Sequence, residues 1–291
     1  MNNYVFITDS TTDLPPELAK EMEIKIIPLY FVVDNKDYVN YLDNSELSPK
    51  EFYNAMREGK KTSTSQITTY RFVDEFEPFV AEGKDVLYLA LSSGLSGTYE
   101  QALAAADVLM EKYPGRKIVI ADSVGASMGE GLIAYLTAEQ VNNGLSLEEA
   151  VSFVNEIKYK VCHWFTVADL VYLKRSGRVS AAAAAFGNIL NIKPVLHVDN
   201  EGKLIPVMKA RGRNKAIEAL VDAIGRMAVK PEEQVIFLSH GDAFEDITAV
   251  AEMIKTRFNP KRIVISNIGP VIGSHSGPGT LALFFLGEKR H

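Results

Sequence analysis

Two hydroxyl-rich stretches carry the side chains best suited to chemistry in this chain: Thr62-Ser63-Thr64-Ser65-Gln66 and Ser92-Ser93-Gly94-Leu95-Ser96-Gly97-Thr98. Serine and threonine hydroxyls, with the free amides of a helix N-terminus, can hold a phosphate or a carboxylate without a full positive charge beside it. The glycines of the second stretch permit a tight turn and close approach of the backbone to a guest. One such stretch alone is an ordinary turn, since serine and threonine are common turn residues. Two of them, each ahead of a helical pattern, can sit at one end of a sheet and converge on one anion.

His275, ringed by Gly273, Ser274, Ser276, Gly277 and Gly279, is the histidine best placed for chemistry. In a glycine-rich loop it can be a general base, a phosphate contact or a plain exposed residue. His240 is a weaker case, and His163 and His197 lie inside strand patterns and read as packed or surface residues. Arg175, Arg178, Arg211 and Arg213 form two small basic clusters. They read either as a solvated face or as a docking point for phosphate or a partner, because guanidinium grips phosphate with two prongs. Asp9 and Asp13 are not a haloacid-dehalogenase-like pair, which needs its second aspartate two residues after the first. Asp9 is expected to order neighbouring hydroxyls and Asp13 to cap the helix that follows. No histidine, cysteine or carboxylate spacing suggests a metal site, and no cofactor is expected. The chain also lacks a G-x-x-x-x-G-K-[ST] loop, a G-x-G-x-x-G after its first strand and a G-x-S-x-G elbow.

The elements that must position these residues alternate. Tyr4–Ile7, Ile24–Val33, Val86–Ala90 and Lys117–Ala121 read as strands, with Pro28 at an edge or bulge, and helical patterns stand between them. Ser48-Pro49-Lys50-Glu51 and Ser146-Leu147-Glu148-Glu149 are capping boxes. Residues 61–69 and 273–279 read as loops. The alternation predicts a parallel sheet covered on both faces, with ligands at the carboxyl ends of its strands. From about residue 160 the texture changes: a hairpin around Asp199-Asn200-Glu201-Gly202, then mixed strands and helices. The expected architecture is a parallel-sheet α/β domain over residues 1–160 and a mixed-sheet α+β domain over 161–291.

The chain has 291 residues, 47% hydrophobic and 23% charged, with a net charge of -6. That is enough apolar material for two ordinary cores, and the acidic balance argues against a general nucleic-acid binder. The single cysteine, Cys162, excludes an intramolecular disulfide and reads as a core residue. Leu281–Leu286 is far too short to span a bilayer, and Met1-Asn2-Asn3-Tyr4 has no signal-peptide character. A cytoplasmic monomer is expected.

Taken together, Thr8-Asp9-Ser10-Thr11-Thr12-Asp13-Leu14, Thr64-Ser65-Gln66, Ser92-Ser93-Gly94-Leu95-Ser96-Gly97-Thr98-Tyr99, Gly177-Arg178, Arg211 and the stretch around His275 resemble the DegV family. That family includes the fatty-acid-binding subunits of bacterial fatty acid kinase. The resemblance spans nearly the whole chain. It implies a long-chain fatty acid buried between two α/β domains, its carboxylate held by Thr64 and Ser96 with His275 beside it. Ser65 and Ser93 are further hydroxyls of the same stretches. Arg178 and Arg211, with Arg175, would face a partner kinase or the acyl phosphate it makes; the partner would supply ATP and chemistry, so the chain itself would be a non-catalytic carrier. Ile67 stands where the family usually has proline, and Thr62 is a second candidate for the role given to Thr64. Phe165, Phe186, Ile189, Leu190 and Ile192 are candidate walls for the acyl chain. The competing expectation is a stand-alone acyl hydrolase using Ser96 with His275.

Overall fold

The computed structural model describes residues 3–180 and 191–291. The candidate walls Phe186, Ile189 and Leu190 lie outside the described residues. In the first half, β1 (Tyr4–Asp9) lies between β2 (Lys25–Ile27) and β6 (Asp85–Ala90), and β6 also pairs with β7 (Ile118–Asp122); every pairing is parallel. Such continuous apolar strands need cover on both faces. Val86 and Tyr88 meet the helices α3 (Thr69–Ala81) and α4 (Thr98–Lys112). Leu87 and Leu89 meet α5 (Met128–Asn142) and α6 (Leu147–Ile157). Helix α1 is Pro16–Glu21 and α2 is Pro49–Arg57. Both expected capping boxes form, at Ser48 with Glu51 and at Ser146 with Glu149.

Ile24–Val33 is two strands rather than one. Proline has no N–H for a ladder, and the chain breaks at Pro28. β2 stays in the parallel sheet, while β3 (Leu29–Val33) joins β4 (Lys36–Asn40) and β5 (Thr62–Ser65) in a separate antiparallel sheet, order β4-β3-β5. The hydroxyl run expected as a loop at 61–69 therefore contains a strand.

The second half forms a six-stranded mixed sheet of β8 (Val161–Thr166), β9 (Ile192–Val198), β10 (Leu204–Arg211), β11 (Val235–His240), β12 (Arg262–Asn267) and β13 (Leu281–Leu286). Their order is β10-β9-β8-β13-β11-β12, and β11–β12 is its parallel pair. The expected β9–β10 hairpin is present. One sheet face carries Trp164, Leu283 and Phe285 and is covered by α8 (Arg213–Met227) and α9 (Phe244–Phe258). The other face carries Phe165, Ala282 and Phe284 and packs in one cluster with Met128 and Ile133 of α5. Helix α5 thus lies between the two large sheets, and it is buried around most of its circumference as that position demands.

α7 is Val171–Arg175, and α10 is Pro270–Ser276. The stretch around His275, expected as a loop, is thus largely helical. Its start has proline in the first turn and its end has Gly277 in the left-handed region (φ 81°), the usual pair of boundary residues. Cys162 is fully buried. The Arg290 guanidinium is buried too and donates to the Val124 (2.5 Å), Val161 (3.1 Å) and Asp199 (3.0 Å) carbonyls and to that of Lys158, tying the two halves together.

Candidate functional site

A cavity of about 340 Å³ is lined from both halves of the chain. Its polar end is built by β5, the turn before α4, and α10. Thr64 sits opposite Phe31 on β3, so by strand alternation its side chain shares the buried face. There its Oγ1 lies 2.9 Å from His275 Nε2. Thr62 shares that face one pleat away, but its Oγ1 is buried with no hydrogen-bond partner among the described residues. The structure therefore brings Thr64, not Thr62, to the histidine. Ser65 is exposed at the cavity rim.

Ser96 is half-buried, its Oγ 2.9 Å from Thr98 Oγ1 and accepting the Thr98 amide at 3.3 Å, so it also anchors the first turn of α4. Gly97 lets the two hydroxyl stretches meet: a Cβ there would collide with Gln66 Oε1. The expected convergence is present, and Gln66 joins the lining beside Thr64, Ser65 and Ser96. Ser93 stands apart. It is exposed, its hydroxyl donates to Asp122 Oδ2 at 2.6 Å, and it does not line the cavity.

His275 is held neutral. Burial pushes its pKa down to about 4, and the positive charges of Arg178 and Arg175 act the same way. Its Nδ1 is buried without a partner among the described residues. A carboxylate guest beside this ring would favour the imidazolium, so its titration midpoint should rise on loading. The affinity gained that way grows as pH falls from above the midpoint of the complex towards the free value of about 4. NMR titration of ¹⁵N-histidine with and without saturating oleate measures the shift; an unmoved midpoint would place the carboxylate elsewhere.

Arg178 lines the cavity half-buried, donating to its own Ser176 carbonyl at 2.5 Å, and burial lowers its pKa. Arg175 is exposed and lies over the Tyr172 ring at 5.2 Å. Arg211 is exposed at the end of β10, and Arg213 pairs with Asp246 at 2.7 Å. Of the four arginines only Arg178 reaches the cavity.

The rest of the lining is largely apolar: Leu29, Leu95, Phe165, Leu204, Ala282 and Phe284 among others. Of the candidate walls among the described residues, Phe165 lines the cavity, whereas Ile192 is half-buried elsewhere on β9. Two polar lining residues carried no legible signal. Ser127 precedes α5 in the left-handed region (φ 54°). His163 is buried, with Nδ1 3.0 Å from the Val161 carbonyl and its ring edge-on to Phe284 at 5.3 Å. It fits because Gly125 and Gly129 lack side chains; a Cβ on Gly125 would lie 2.7 Å from its Nε2.

Asp9 does order hydroxyls: it accepts from Thr11 Oγ1 (2.5 Å) and Tyr88 (2.6 Å), buried away from the cavity. Asp13 does not cap the next helix, whose N-cap is Pro15; its carboxylate goes to Ser127 and Gly269 instead. Among the described residues no group of three or more histidine, cysteine and acidic side chains could hold a metal. No helix among them is long and apolar enough to cross a membrane.

A family model described as an uncharacterised protein of the DegV family matches residues 4–288. This chain belongs to the DegV family. A DegV domain-containing protein of Clostridium perfringens is 47% identical over 290 residues, spanning 100% of this chain and 99% of that one. Among solved structures of the DegV family, a Thermus thermophilus protein described by its fatty acid binding superposes with a TM-score of 0.88 at 30% identity, covering 99% of this chain and 100% of that one. Bacillus subtilis DegV, described as a fatty acid binding protein, gives 0.86 at 30% identity over 99% and 100%.

Proposed function

We propose that this DegV family chain binds one long-chain fatty acid, carboxylate against Thr64, Ser96 and His275, acyl chain along the apolar wall. One observation carries the reading: two hydroxyl stretches distant in sequence converge with a neutral histidine at one end of a cavity that is otherwise mostly apolar. The relatives described as fatty-acid-binding support it. Burying an acyl chain is worth ~0.8 kcal/mol per methylene, so a sixteen-carbon chain gains ~12 kcal/mol before the losses of association. Binding strength can come from the chain, while the hydroxyls orient the head group.

The hydroxyl of Ser96 meets Thr98 and the imidazole of His275 meets Thr64, so no base is hydrogen-bonded to Ser96 among the described residues. That favours a carrier over a stand-alone hydrolase. The reading extends to a separate kinase that brings ATP and phosphorylates the presented carboxylate. Arg178, at the cavity, would meet the acyl phosphate, and the exposed Arg175 and Arg211 would meet the kinase. We also take residues 1–160 and 161–291 as the two domains, with α5 shared between their sheets.

The test is native mass spectrometry of protein purified without delipidation. One long-chain fatty acid per chain is expected. Protein that carries none and takes up no added oleate would overturn the reading.

A further inference from the structure

We propose that Asp13 is a positioning residue for the ligand cavity: one buried carboxylate fixes, relative to each other, the cavity-lining residues that lead into α5 and the start of the helix that carries His275. The proposal rests on the fatty-acid reading above. Asp13 closes the 3-10 turn Ser10–Thr12 in the left-handed region (φ 52°) and is 4% exposed. Its Oδ2 accepts the Ser127 hydroxyl at 2.5 Å, and its Oδ1 accepts the Gly269 amide at 2.9 Å.

Ser127 is the residue before α5 and lines the cavity. It also lies 3.0 Å from the Ser239 hydroxyl on β11, so the contact reaches the mixed sheet. Gly269 is the N-cap of α10, and Val271, Ile272, His275 and Ser276 of that helix line the cavity. A helix this short has few hydrogen bonds of its own, and glycine offers no side chain to cap it. Asp13 supplies the missing acceptor from a segment far away in sequence. The fit is close: a Cβ on Gly269 would lie 2.8 Å from Asp13 Oδ1, and one on Gly131 in α5 would lie 2.7 Å from the Thr12 carbonyl.

A buried carboxylate left without its donors is costly, so the arrangement holds one geometry. That geometry places His275 Nε2 at Thr64. A shift of α10 of about an ångström would spoil a contact that orients a ligand head group.

The experiment measures oleate affinity and the ¹⁵N resonances of His275 in full-length variants. Asp13→Asn keeps both contacts, the carboxamide oxygen accepting from Gly269 and its NH₂ donating to Ser127; binding within about threefold of the unaltered protein is expected. Asp13→Ala should bind at least about tenfold more weakly, with the His275 resonances displaced. If Asp13→Ala does not fold, Gly269→Ala gives the same reading, since it pushes the carboxylate away without removing it. The proposal is overturned if the folded alanine variant binds oleate normally with unmoved His275 resonances. It is equally overturned if Asp13→Asn loses as much affinity as Asp13→Ala. Failure of the unaltered protein to bind oleate would instead overturn the fatty-acid reading itself.

Discussion

Thr64→Val combined with Ser96→Ala should lower oleate affinity by about a thousandfold while the fold persists. Hydrogen bonds to a charged group are worth about 1.5–3 kcal/mol each, or roughly ten- to a hundred-and-fifty-fold. Two of them would sum to about 3–6 kcal/mol, trimmed or enlarged by coupling between neighbours. The effect on stability should be smaller: Thr64→Val leaves the buried His275 Nε2 without its partner, a cost of about 1–3 kcal/mol. Valine matches threonine in shape and suits the strand position opposite Phe31. Ser96→Ala gives up one contact to the Thr98 amide, a cap-like loss of about 1 kcal/mol. Calorimetric titration with oleate, beside thermal unfolding of the empty variants, separates the two effects. Undiminished affinity in a folded double variant would remove the carboxylate from these hydroxyls.

The second large effect is expected at the Phe284 wall of the cavity. Phe284→Ala should destabilise the ligand-free protein by about 3–5 kcal/mol and move its preference towards longer acids. Phe284 is 3% exposed on β13 and packs edge-on to His163. Gly129 lies so close beneath that a Cβ on it would be 2.7 Å from the Phe284 ring. The next pair on the same sheet face, Val161 with Leu286, does not line the cavity, so the His163–Phe284 pair closes it there. Removing the ring opens room for several more methylenes. Denaturant unfolding gives the stability, and competition among palmitate, stearate and arachidate gives the preference. A uniform loss of affinity with an unchanged optimum would make Phe284 ordinary core.

How far the sequence revealed this arrangement varies with the range of the forces involved. The alternating apolar runs announced the parallel sheet, because burial on two faces leaves a local signature. The capping boxes at Ser48 and Ser146 were readable for the same reason. The strand character of Thr62–Ser65 was hidden, since a run of small hydroxyl residues suits a turn equally well and only pairing with β3 decides it. The helix holding His275 had readable ends in Pro270 and Gly277, but five small or turn-forming residues around the histidine suggested a loop. Ser93 and Ser96 look equivalent in sequence; the side chain of one turns out to Asp122 and the other faces the cavity. Ser127, His163 and the true partners of Asp13 depend on contacts across more than a hundred residues, which no local pattern encodes.

The order of the mixed sheet has a consequence for how the protein is made. β13, which supplies Ala282 and Phe284 to the cavity, lies between β8 and β11 although it follows both in the chain. Domains tend to fold from the N-terminus as they leave the ribosome. Here the parallel sheet can assemble early, but a nascent chain halted after β12 holds two half-sheets with a vacant slot between them. The cavity lacks one of its walls until residue 286 has emerged, so on the fatty-acid reading loading would follow translation rather than accompany it.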